Sequence, residues 1–211
     1  MHMQRRSLLD SLLTVADEGL RTLFAPPQSS RSLPLPPDPP LTEPEKRHIA
    51  GLMRVDHAGE IAAQGLYRGQ ALLARQASTR DLLRRAAHEE GDHLAWCERR
   101  LAELGARPSL LNPLWYAGSL AIGALAGALG DAISLGFVCE TERQVEGHLA
   151  GHLERLPAGD LRSREILQQM KSDELGHGQT AQAQGGAELF PPLPWLMRSA
   201  ARVMTSTAYW F

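Results

Sequence analysis

The sequence predicts an all-α chain built round four long helices, and three observations carry that expectation. Apolar residues recur at three- and four-residue spacing along most of the chain. No stretch sustains the alternation of a half-buried strand, and aromatics are only 5% of residues, poor material for a sheet core. The 211 residues allow one sizeable domain with appendages. With 22 basic and 24 acidic side chains the net charge is −2, so no cationic field invites nucleic acid. Two cysteines, Cys97 and Cys139, cannot build a disulfide framework; they suit a reducing compartment and read as packing residues.

Residues 1–24 hold the first element. Leu8, Leu9, Leu12, Leu13, Val15, Ala16, Leu20 and Leu23 make a broad helical stripe behind Arg5 and Arg6. Asp10, Asp17 and Glu18 argue against a targeting peptide, which is acid-poor; the reading is an amphipathic appendage helix. Residues 25–42 are a linker, extended and mobile, because eight prolines fall between 26 and 44. The domain proper, 43–211, opens with Thr42-Glu43-Pro44-Glu45, a capping-box threonine with proline in the first turn. That helix runs to about Gln76. Ser78 or Thr79 then caps a second helix that stops at Gly105 and Pro108. A third ends near Leu156-Pro157, and a fourth begins behind Asp160 and fades at Gln184-Gly185-Gly186. A last amphipathic stretch carries Met197, Ala201 and Met204.

Residues 109–130 interrupt this pattern with 22 consecutive uncharged positions. Such a run is formally long enough to span a bilayer. Asn112 and Pro113 sit near one end, however, and nine of the 22 residues are Gly or Ala, so the run is only moderately hydrophobic. Three readings stand: a buried bundle helix, a spanning helix, and a segment lying in the membrane interface with Trp115 and Tyr116 at headgroup level. The last is favoured.

The chemistry lies in a repeat across the four long helices. Helix one carries Glu60, helix two Glu89-Glu90-Gly91-Asp92-His93, helix three Glu142, and helix four Asp173-Glu174-Leu175-Gly176-His177. Residues three apart share a helical face, so Glu90 converges with His93 and Glu174 with His177. At about 1.5 Å rise per residue, Glu60 and Glu90 return to similar heights on antiparallel neighbours, as do Glu142 and Glu174. Four carboxylates and two imidazoles cannot sit in a helical core uncompensated, since even one such charge costs several kcal/mol. Two divalent cations balance four carboxylates, and Glu plus neutral His suits iron or, less well, manganese. The doubled Glu and Glu-x-x-His set is the di-metal pattern of ferritin-like bundles. A single Glu-x-x-His would be an ordinary solvated face.

Some registers stay open. Glu89 and Asp173 lie four residues before their histidines and share that face, and Glu140 and Glu146 compete with Glu142. Asp56 could orient a ligating histidine, and His148 is a comparable candidate or a structural histidine. Tyr67, two turns beyond Glu60, could line the cavity or simply pack. His57 and His88 have no matched partner and read as outlying or surface residues.

RVDHAGE at 54–60, EEGDHL at 89–94, ETE at 140–142 and DELGHG at 173–178 resemble the demethoxyubiquinone hydroxylases of ubiquinone biosynthesis. The likeness covers about residues 43–211, and the N-terminus resembles the longer bacterial members. The aromatic end Tyr209-Trp210-Phe211 departs from the pattern. The resemblance implies two iron ions held by Glu60, Glu90, His93, Glu142, Glu174 and His177, with Tyr67 and His148 as nearby acid–base candidates. It implies a di-iron monooxygenase that adds one oxygen atom from O₂ to a polyprenyl methoxy-methyl-benzoquinol. It also implies an external electron donor, a ubiquinone-biosynthesis complex, and peripheral attachment to the cytoplasmic face of the bacterial inner membrane. Residues 109–130 and the N-terminal helix would form the docking face. The rival readings are another di-iron oxygenase or desaturase acting on a different lipid, an iron store, and a non-catalytic lipid-binding accessory protein.

Overall fold

The computed structural model describes residues 8–37 and 40–211 and contains seven α-helices, with no strand among the described residues. They are α1 (Leu8–Phe24), α2 (Glu43–Leu73), α3 (Ala77–Glu103), α4 (Asn112–Ala128), α5 (Asp131–Arg155), α6 (Leu161–Ala183) and α7 (Pro192–Ala208). The expected helix start at Arg5 and Arg6, and Pro39 of the linker, lie outside the described residues. Short turns at 74–76 and 156–160 fold α2 onto α3 and α5 onto α6, so each pair is antiparallel. The two hairpins form a four-helix bundle of the ferritin-like kind with a single crossover, and α4 is that crossover.

The core divides into two apolar layers. One holds Leu66, Leu82, Leu83, Leu135 and Val138; the other holds Ile49, Met53, Leu101, Ile166 and Met170. Each of the four bundle helices contributes to both. The stretches between, near residues 60, 90, 142 and 174, carry the buried acids. A polar layer is thus sealed above and below by hydrocarbon.

Helix ends follow the expected chemistry with one exception. The Thr42 backbone N–H donates to Glu45 Oε2 at 2.8 Å, and Asp160 caps α6 by accepting from the Ser163 N–H at 3.0 Å. Neither Ser78 nor Thr79 caps α3, which begins one to two residues earlier, behind Gln76. The cap comes from another helix: Asp131 at the start of α5 accepts the Arg75 and Gln76 N–H groups at 2.9 and 2.8 Å. A tertiary partner has overridden the local signal.

The proline-rich segment lies docked on the bundle rather than loose. Leu33, Leu35 and Leu41 pack against the second apolar layer. Ser30 N–H and Arg31 Nε donate to Asp92 at 2.5 and 2.8 Å.

Helix α4 lies along α2 with the backbones almost touching. A Cβ at Gly123 would meet Leu66 O at 2.0 Å, and one at Gly69 would meet Leu120 O at 2.2 Å. Gly and Ala in the uncharged run therefore make a close-packing stripe. The opposite face is open, with Leu114, Leu125 and Leu129 60–68% exposed. The buried-helix reading is thereby corrected: only one side of α4 is covered. The spanning reading fails too, since no helix among the described residues is long and apolar enough to cross a membrane. At 17 residues α4 is roughly 25 Å long.

Candidate metal centre

The six residues selected by spacing meet in the polar layer. Glu60, Glu90, His93 and Glu174 each offer a ligand atom within 4.8 Å of the others, and so do Glu90, Glu142, Glu174 and His177. Glu90 and Glu174 belong to both groups. The pattern is therefore two adjoining four-donor sets sharing two carboxylates, with Glu60 and His93 at one end and Glu142 and His177 at the other.

Distances repeat this symmetry. His93 Nδ1 lies 2.9 Å from Glu90 Oε2 and 3.3 Å from Glu174 Oε1. His177 Nδ1 lies 3.2 Å from Glu90 Oε1 and 3.4 Å from Glu174 Oε2. Each imidazole turns Nδ1 inward and Nε2 outward. The outward nitrogens meet carboxylates from the facing helix: His93 Nε2 is 2.9 Å from Asp173 Oδ2, and His177 Nε2 is 2.7 Å from Glu89 Oε2. Glu89 and Asp173, the rival ligands, thus sit behind the histidines. A carboxylate on Nε2–H fixes the tautomer that leaves the Nδ1 lone pair facing the centre.

The other register questions also resolve. Glu142 is buried in the centre, whereas Glu140 pairs with Arg143 and Glu146 lies 3.6 Å from Lys171. Tyr67 is fully buried, and its hydroxyl donates to Glu142 Oε1. It lines the centre as well as packing. His148 is not beside the six; it stands with Asp56 and His152. Asp56 contacts neither His93 nor His177 and lies instead 2.8 Å from His152 Nδ1. His57 is buried near Asn112 and Glu98, and His88 is exposed. Cys97 packs against Met170, with burial pushing its thiol pKa well up.

Sequence reasoning passed over His152 and Arg31. The first had a signal, a histidine four residues after His148 on one helical face. The second had none: Arg31 is in the linker, yet its Nη2 donates to Asp173 Oδ2 at 2.7 Å, the same oxygen that contacts His93.

Electrostatics test whether the donors fit a metal. Burial, and then the neighbouring Glu90, push the Glu60 pKa well above the ordinary carboxylate value; burial and Glu174 do the same to Glu142. At Glu90 burial opposes ionisation, but the His177 and His93 imidazoles beside it override that and hold the pKa low. Burial alone would lower the histidines, yet the surrounding carboxylates raise His93 well above normal and His177 to about 12. Glu90 Oε1, Glu174 Oε2 and His177 Nδ1 remain buried without a hydrogen-bond partner among the described residues. Buried oxygens and nitrogens left unsatisfied while converging on one region fit bound cations. The cluster could hold a metal, and its donor chemistry suits first-row transition ions.

Comparison with known proteins agrees with this geometry. The family model described as "Ubiquinone biosynthesis protein COQ7" matches residues 47–208. A Bordetella petrii protein named 3-demethoxyubiquinol 3-hydroxylase is 56% identical over 210 residues, covering 98% of this chain and 93% of its own length. Proteins of the same name from Burkholderia cenocepacia and Azoarcus sp. are 57% and 55% identical; each match covers 96% of this chain and 99% of the relative. A match spanning all four bundle helices and all six converging donors makes this chain a member of the COQ7 family of ubiquinone biosynthesis proteins.

Proposed function

We propose that the chain is a 3-demethoxyubiquinol 3-hydroxylase: a di-iron monooxygenase that hydroxylates the ring of a polyprenyl benzoquinol with O₂. The observation that carries this reading is the sharing of Glu90 and Glu174 between the two donor sets. Glu90 and Glu174 would help hold both ions, with Glu60 and His93 completing one donor set and Glu142 and His177 the other. Two bound iron ions would supply the electrons and the oxygen activation that no side chain offers.

The chain's own residues do the rest. Asp173 and Glu89 hold the two imidazoles in orientation. The apolar layers on either side keep bulk water out; Glu60, Glu90, Glu142 and Glu174 are at most 3% exposed. Tyr67 keeps its proton, because burial and then Glu142 push its pKa well above normal, and it holds Glu142 by donating to it. His148 lies outside this set, beside Asp56 and His152, so the acid–base part at the centre falls to Tyr67.

A polyprenyl quinol resides in lipid, so its enzyme needs a surface that meets lipid. Helix α1 docks through Leu23, packed against Ile61, Leu94 and Tyr116, and through polar contacts, with Thr22 Oγ1 donating to Gln64 at 2.7 Å and Arg68 Nε 3.3 Å from Glu18. Its Leu9, Leu13 and Leu20 are 60–64% exposed. A helix that leaves Leu9, Leu13 and Leu20 outward suits a membrane interface, as does the open face of α4. Peripheral attachment on the cytoplasmic side of the bacterial inner membrane follows from this reading, as does access to an electron donor and a ubiquinone-biosynthesis complex there.

A bacterial strain lacking its own hydroxylase tests the proposal. The chain is expected to restore ubiquinone, and Glu174→Ala to leave demethoxyubiquinol accumulating. Restoration by the Glu174→Ala chain contradicts the catalytic role of the centre.

A further inference from the structure

A second cluster of donors lies outside the dinuclear centre. Asp56 on α2 and His148 and His152 on α5 each offer an atom within 4.8 Å of the others. Their places on the helices separate them from the main site. Asp56 precedes Glu60 by one turn, about 6 Å along α2, and His148 follows Glu142 by six residues, about 9 Å along α5. None of the three takes part in the main site.

Buried groups this close ordinarily satisfy one another, and these do not. His152 Nδ1 is 2.8 Å from Asp56 Oδ1, a hydrogen-bonding distance. Yet neither atom has an aligned hydrogen-bond partner among the described residues, nor do Asp56 Oδ2 and His148 Nε2. Asp56 and His152 are only 3 and 2% exposed, so water does not readily compensate them. A plain ion pair would aim the N–H along the line to the carboxylate. Short separation without that alignment is what donors show when their lone pairs face a common third point. The same signature marks Glu90, Glu174 and His177 in the dinuclear centre.

We infer that Asp56 Oδ1, His148 Nε2 and His152 Nδ1 form a third, mononuclear site for a divalent first-row transition-metal ion. Two imidazoles and a carboxylate are a sufficient protein set for zinc, cobalt or ferrous iron, with water completing the shell. The His148 side chain is 33% exposed, which gives that water and the ion a way in. Burial, and then the neighbouring His152, push the His148 pKa down to about 4. At neutral pH its lone pair is therefore free for a metal.

Cobalt(II) is the probe. The full chain, stripped by chelator, is dialysed against excess Co²⁺ and the bound metal counted per chain. Wild type is expected to hold about three ions, and His148→Ala and His152→Gln about two each. Glu174→Ala should lose ions from the dinuclear centre while a site removable by His148→Ala persists. Helix content by circular dichroism checks each fold, and the part-exposed His148 keeps the test decisive should His152→Gln not fold. Saturation of wild type at two ions overturns the inference and leaves the dinuclear reading standing. A third ion that neither histidine substitution removes overturns it as well, because that ion then lies elsewhere.

Discussion

Two histidines on opposite helices are each backed by an acid from the other helix. Asp173 of α6 holds His93 of α3, and Glu89 of α3 holds His177 of α6. Removing such a partner costs about 10–100-fold in metal affinity. Asp173→Asn and Glu89→Gln should each weaken metal binding by that order in a chelator competition, while Glu146→Gln, whose partner is Lys171, should not. Metal uptake should also be strongly pH-dependent. Without metal, burial and the neighbouring carboxylates push Glu60 and Glu142 toward the protonated form, and the surrounding carboxylates push His93 and His177 toward the cationic form. Protons therefore compete with metal for these donors, and filling the centre should release protons. Affinity should therefore fall as pH falls; calorimetry in buffers of different ionisation enthalpy counts the protons. The six converging residues were legible because Glu-x-x-His occurs twice with matched upstream glutamates. The backing acids were not, since four-residue spacing puts them on the ligand face too. Only the position of the opposite helix tells a ligand from its support.

Elements show a similar division. The four bundle helices could be read from periodicity, capping and turn residues, but the α3 cap could not, because Asp131 supplies it from a segment over fifty positions away. Helix α4 was readable as apolar, whereas its glycines acquire meaning only against α2. The carbonyl of Leu66 sits where a Gly123 side chain would begin, and it is backbone, so it cannot yield. Gly123→Leu should push α4 off α2 and destabilise the chain by about 1–3 kcal/mol, read as a lowered urea midpoint. Gly118→Ala, with nothing within 4 Å of its Cβ, should leave the midpoint unchanged or raise it, because alanine favours the helix over glycine. Composition reports the stiffness of the proline-rich segment and not its docking. Arg31 ties it to Asp92 and Asp173, and so joins it to the support of His93.

At the scale of the molecule, the apolar surface is arranged about α2, against which α1, α4 and α7 all pack. Leucines on α1 and α4 and Trp195 and Val203 on α7 remain exposed. Leu114→Glu with Leu125→Glu replaces two outward side chains on α4 without touching the core. Liposome flotation should show binding at least about tenfold weaker for that variant, each lost leucine contributing of order 1 kcal/mol or more. The central claim is that two ions share Glu90 and Glu174. Mössbauer spectroscopy of the full chain, loaded with isotopically enriched iron and exposed to O₂, addresses it most directly. Most of the iron should appear as a spin-coupled ferric pair that disappears in Glu174→Ala; iron present only as isolated, uncoupled ions, alike in both chains, would contradict it.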